Sequence, residues 1–179
     1  MDLDGLWSTD RARQNEAYAQ VMAATAEPVP WAADVWDDVV AHLGSADNHD
    51  RAIAAQVLCN LAAHDGSGRI GRDLDALMAV TRDERFVTAR HALKSVWRAG
   101  LSGDRARALI VAALRSRYRE SWDEKNGTLI RHDIVESLRF LSDAKKDDQL
   151  GAVARELIDE EPDPKYRKKY ARHWPVSKR

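Results

Sequence analysis

Cysteine is almost absent from this chain. Of 179 residues only Cys59 is one, so no disulfide can close within it, and the disulfide framework of a small secreted scaffold is excluded. Long apolar runs are missing too: none approaches the roughly 18 residues that a membrane-spanning helix needs. The opening Met1-Asp2-Leu3-Asp4 is acidic and lacks the basic start and apolar core of a signal peptide. These absences lead to the expectation of a cytoplasmic protein with no membrane partner. A phosphate-cradling loop is also missing, because Gly66-Ser67-Gly68 and Gly71 stand without the lysine of a P-loop. The six histidines (42, 49, 64, 91, 132 and 173) contain no His-x-x-x-His or His-Glu-x-x-His pair, the spacings that aim two imidazoles at one zinc ion. The acidic group Asp34, Asp37, Asp38, Asp47 and Asp50 lacks the alternation of a calcium loop. On these grounds no catalytic residue, metal or cofactor is assigned.

What the chain does have is a period. Ile53-Ala54-x-x-Val57-x-x-Asn60-Leu61 is followed by three stretches of the same form. They are Thr88-Ala89-x-x-Ala92-x-x-Ser95-Val96, Ile130-Arg131-x-x-Ile134-x-x-Ser137-Leu138 and Tyr166-Arg167-x-x-Tyr170-x-x-His173-Trp174, at offsets of 35, 42 and 36 residues. A repeat of that length is the mark of stacked helical hairpins.

The punctuation agrees. Ser8, Thr9 and Asp10 offer N-cap oxygens to a first helix that Pro28 and Pro30 end. Gly44, the turn Asp65–Gly68, Gly100 with Gly103, and Pro162 with Pro164 separate the later apolar stripes. No run alternates with period two, so no strand is expected. The prediction is one all-α domain over residues 1–179: an N-terminal capping helix within 1–26, then helical hairpins over 31–64, 69–99, 102–142 and 145–174. The polar link Glu120–Gly127 is the longest loop and accounts for the 42-residue offset. Cys59, between Leu58 and Leu61, reads as a small core residue.

This pattern resembles the HEAT repeat family of armadillo-type α-solenoids. Asp163-Pro164 followed by Tyr166-Arg167 is similar to that family's Asp-Pro turn and the apolar–Arg pair that opens its second helices, and Ile130-Arg131 matches the same pair. At the equivalent places the first two hairpins carry Ala54 and Ala89 instead of arginine, with Arg90 one residue later. The resemblance spans roughly residues 31–174. It implies an α-solenoid whose second helices line a concave face, and a scaffold that binds proteins or, in some members, nucleic acid.

Charge is distributed unevenly. Residues 1–80 carry five Lys/Arg and thirteen Asp/Glu, a net −8, whereas 81–179 carry 23 and 16, a net +7. Stacked in order, such hairpins form an electrically bipolar rod. Arg90, Lys94 and Arg98 recur at i, i+4 and i+8, with His91, Arg131 and Arg139 expected on the same concave face. They read either as a solvated stripe or as the contact for an acidic protein partner. Lys165, Arg167, Lys168, Lys169 and Arg172, with Lys178 and Arg179, surround Tyr166, Tyr170 and Trp174 at i, i+4 and i+8. There the aromatics dock the last helix and the cations form either its solvated side or a basic patch for phosphates. Trp31, Trp36 and Trp97 fall on apolar stripes and are assigned to the core. Trp7, Trp122 and Trp174 lie near termini or loops and are candidate interface anchors.

The sequence therefore reads as a non-enzymatic helical-repeat adaptor binding a protein partner. The alternative is a HEAT-like protein that binds nucleic acid, in its most specific form one similar to the alkylpurine DNA glycosylases. Against that form, no tryptophan here is followed four residues later by an acid. Head-to-tail self-association through the opposed charges is a third expectation.

Overall fold

The structure is a computed structural model that describes residues 2–175; Lys178 and Arg179 lie outside them. The described residues form nine α-helices and no strand. They are α1 (Arg11–Ala24), α2 (Ala32–His42), α3 (Asn48–Ala63), α4 (Ile70–Val80), α5 (Phe86–Ser95), α6 (Asp104–Glu120), α7 (Gly127–Lys145), α8 (Gln149–Glu160) and α9 (Pro164–Ala171). Among the described residues no helix is long and apolar enough to cross a membrane.

Local chemistry sets the helix starts. Asp10, Asp47 and Asp163 each accept backbone N–H groups at the openings of α1, α3 and α9, which satisfies donors that have no partner within the helix. Pro164 stands in the first turn of α9, where its missing N–H costs nothing. α7 ends at Lys146 in the left-handed region, at φ 52°.

The helices lie in two rows. α3 packs on α5, α5 on α7 and α7 on α9, while α2 meets α4 and α4 meets α6. Side chains tie the neighbours of the first row: Ser137 Oγ on α7 donates to the Leu93 carbonyl of α5 (2.6 Å), and Tyr170 Oη on α9 donates to the Thr128 carbonyl of α7 (2.7 Å). α1 extends this row in front of α3, through Gln14 to Asp50 (2.8 Å) and Tyr18 to Gln56 (2.8 Å). The fully buried Leu58, Leu77, Leu93, Ile110, Leu114, Ile134 and Leu157 fill the space between the rows. Cys59 belongs to this core; burial pushes its thiol up to about 12, which leaves it unreactive at neutral pH.

Three places differ from the reading of the sequence. A 3₁₀ turn, Asp4–Trp7, precedes α1. α5 stops at Ser95 and tightens into a 3₁₀ turn over Val96–Leu101. That tightening brings Gly100 against Leu141, so closely that a Cβ there would stand 3.2 Å from both Leu141 methyls. The link after α6 is not an open loop. Ser121–Asp123 forms a 3₁₀ turn, and the fully buried Arg117 grips Glu124 at its far side (2.5 and 2.8 Å) and the Thr81 carbonyl (3.1 Å).

Candidate functional site

The exposed stripes of α5, its 3₁₀ extension and α7 lie side by side. α5 and the turn contribute Val87, Arg90, His91, Lys94, Trp97 and Arg98; α7 contributes His132, Glu136, Arg139, Phe140 and Asp143. The helical period explains the selection: positions 132, 136, 139/140 and 143 share one side of α7, and 134, 138 and 141 turn into the core.

Most of the expected contact residues are already engaged within the chain. Arg90 holds Asp133 with a two-pronged grip (2.6 and 3.0 Å), and the Asp133 side chain is completely buried. Lys94 stands 3.3 Å from Glu136, and Arg139 pairs with Asp143 (2.5 Å) while lying over the Trp174 ring. Arg98 forms no ion pair among the described residues and lies 4.8 Å over the ring of Trp97. His91 is exposed on this face, and desolvation together with Arg90 and Lys94 holds its imidazole below the usual range.

Arg131 must be corrected. It is 4% exposed and faces the interior, where it binds Glu161 (2.8 Å), itself 1% exposed, and the Ser121 carbonyl (3.2 Å). Trp122 covers it at 4.2 Å. The reason is positional: Arg131 lies near the start of α7 on the side that meets Glu161, between α8 and α9, so it ties these elements together and cannot meet a partner.

The tryptophans also exchange roles. Trp7 stacks on His42 (3.7 Å) and donates to Asp38 (2.8 Å). Trp122 lies against Tyr118 and Arg131, and Trp174 is 7% exposed and donates to the Val135 carbonyl (3.2 Å). These three hold the chain together. Trp97, assigned to the core, is only half-buried and meets Phe140 at 5.7 Å, and Phe140 is 43% exposed. At the start of α5, Val87 is 67% exposed. The apolar anchors of this face are therefore Trp97 and Phe140. Trp97 packs against the core, as its stripe implies, and also reaches this face.

The basic segment divides. Tyr170 and Trp174 are buried against α7, as their spacing implies. Lys165, Lys168, Lys169 and Arg172 are exposed and form no ion pairs among the described residues, whereas Arg167 donates to the Glu161 carbonyl (2.7 and 2.9 Å). The acidic group of the first hairpin is largely answered from within: Arg72 binds Asp37, Arg11 binds Asp47, and Ser45 and Gln14 bind Asp50.

One cluster escaped the motif search. His132 Nε2 and His173 Nε2 lie 3.0 Å apart. Metal-ligating atoms of His132, Asp133 and Glu136 lie within 4.8 Å of one another. His132 and His173 are 41 residues apart in sequence, and the packing of α7 against α9 brings that interval into contact. Compared with models of known families, with characterised proteins and with solved structures, the chain finds no match.

Proposed function

We propose that the chain is a HEAT-like α-solenoid of about four hairpins with an extra N-terminal helix, and a non-enzymatic cytoplasmic adaptor. Its acidic protein partner is bound on the face of α5 and α7. One observation carries this reading: the exposed Phe140 meets the half-buried Trp97, and Arg98, a cation with no ion pair among the described residues, lies over the Trp97 ring. Large aromatics and arginine are the residue types that dominate binding energy at protein interfaces. A peptide with an apolar side chain flanked by acids complements that patch, and a rigid helical face needs little rearrangement to receive it. Arg90, His91, Lys94 and Arg139 then form the polar rim, where the existing ion pairs set register more than affinity.

The test is capture from a cell lysate at low salt, with one half treated with nuclease. A protein that survives nuclease and is lost with Trp97→Ser or Arg98→Glu supports the reading. Retention by both variants removes this face. The second reading, nucleic-acid binding, rests on the exposed Lys165, Lys168, Lys169 and Arg172. It predicts nucleic acid in the untreated half, lost when these cations are reversed and weakening steeply with salt.

A further inference from the structure

We propose that His132, His173 and Glu136 form a binding site for a divalent transition cation of the zinc class, at the joint between α7 and α9. Two nitrogen ligands about 2.0–2.1 Å from a tetrahedral zinc ion stand roughly 3.3 Å apart. The two Nε2 atoms stand 3.0 Å apart already, and one imidazole must donate its proton to the other for them to stay there. A metal ion between them replaces that proton. Glu136 follows His132 by four residues, so both reach outward from one side of α7. The Glu136 carboxylate is partly exposed, and its reach to His132 and Asp133 is within 4.8 Å. Ligation by Glu136 is part of the proposal and requires its side chain to rotate toward the two Nε2 atoms.

The surroundings suit a ligating imidazole. His132 Nδ1 lies 3.5 Å from Asp133 Oδ1, and Arg90 holds that carboxylate from its other side. A carboxylate behind an imidazole fixes the ring and the tautomer that presents the opposite nitrogen to a metal. Burial and the neighbouring His132 hold the His173 imidazole below the usual histidine range. The groups facing the pair are Asp133 and Glu136 from α7, Lys169 from α9, and Arg90 and Lys94 from α5. Among these Lys94 opposes the ion, since it stands 3.3 Å from Glu136. Its side chain is 47% exposed and free to turn into solvent. Three protein ligands leave the fourth position to water, and the ion fastens the last helix to the rest of the stack.

The experiment uses the full chain without an affinity tag, stripped of metal by a chelator and titrated with Zn²⁺ by calorimetry. Co²⁺ in parallel reports ligand geometry by its visible absorption. One ion per chain is expected. His132→Ala and His173→Ala should each weaken binding by about 100-fold or more, since even groups behind the ligands contribute about 10–100-fold. Glu136→Gln should also weaken it, and Lys94→Gln should tighten it several-fold. Affinity should fall as pH drops through the imidazole range, because protonated histidine cannot ligate. Zn²⁺ should raise the melting temperature of the natural chain and leave that of His173→Ala unmoved. His132→Asn and His173→Asn, checked for native circular dichroism, guard against a fold defect in the alanine variants. The proposal is overturned if no stoichiometric binding occurs, or if the folded histidine variants bind Zn²⁺ as the natural chain does.

Discussion

Arginine–carboxylate pairs between elements far apart in sequence fall into two sets that differ most in burial. On the inner set, Arg51 binds Asp83, Arg90 binds Asp133 and Arg131 binds Glu161, and in each pair the carboxylate is at most 3% exposed. On the outer set, Arg82 binds Glu120, Arg115 binds Glu156 and Arg119 binds Glu160, with every partner between 31% and 46% exposed. The sequence separations overlap, 30 to 43 residues inside and 38 to 41 outside. Chemistry and spacing are thus similar while the surroundings change. A buried pair adds little net stability over an apolar replacement, yet losing one member strands a charge in the interior. An exposed pair is screened by water and salt, and losing one member strands nothing.

The sharpest break in the comparison is Glu161→Ala. It leaves the Arg131 guanidinium buried under Trp122 with only the Ser121 groups as acceptors. The expected loss is about 3–5 kcal/mol of unfolding free energy in urea. Arg131→Met with Glu161→Leu should recover most of it, because shape is kept and no charge is stranded. Failure of that double variant to recover would mean that the pair does more than balance itself. Gly127→Ala strikes the same joint by sterics. A Cβ there would stand 2.1 Å from the Ser121 carbonyl oxygen and 2.9 Å from Arg131 Nη1. A loss of about 3 kcal/mol is expected from such overpacking, measured by the same unfolding curve.

The sequence makes the outline of this molecule legible and leaves its joints obscure. Helix boundaries followed from local rules: Asp10, Asp47 and Asp163 cap where their side chains allow, and the glycines and prolines fall between elements. The aromatic face of α9 followed from its period, and Tyr170 and Trp174 are buried as that period implies. Arg131 was misplaced because helical period gives the side of a helix but not which neighbour that side meets. Trp97 packs on the core, as its stripe implies, but stays partly exposed where the period changes from 3.6 to 3 residues in the turn over Val96–Leu101. The meeting of His132 with His173 lies across 41 residues, and only the stack converts that interval into contact.

Two further tests grade the inner set. Asp83→Ala removes both prongs of the Arg51 grip (2.6 and 3.0 Å) and the acceptor of the Arg85 N–H at the start of α5 (2.8 Å). Arg51 is partly exposed and keeps the Ser45 and Ala46 carbonyls, so the loss should be about 2 kcal/mol, below that of Glu161→Ala. Acid should act on the same carboxylates. Burial raises the Asp83 and Asp133 carboxyls, but hydrogen bonds and attraction from arginine and from the Arg85 amide or His132 outweigh it, and both end below their ordinary value of 3.8. Groups lowered by folding stabilise above the unfolded value and lose that contribution as pH falls through the folded one. Unfolding free energy should therefore hold steady from neutrality to about pH 5 and decline below about pH 4. Asp83→Asn should flatten part of that decline.

The smallest effect belongs to the outer set and is the control for all the others. Glu156 accepts from both Arg115 (2.5 Å) and Arg119 (2.9 Å), so by count of bonds Glu156→Ala rivals Glu161→Ala. Its surroundings oppose that ranking. Arg119 keeps Glu160 (2.6 Å), Arg115 is free to turn into water, and the Glu156 side chain is 46% exposed. The expected loss is under about 1 kcal/mol, and it should vanish in high salt, which screens exposed charges. The loss from Glu161→Ala should be nearly the same at low and high salt, because a stranded interior charge is out of reach of ions. Parallel urea titrations of the two variants at both salt concentrations decide the matter. Equal losses, or equal salt responses, would show that burial does not separate the two sets of joints.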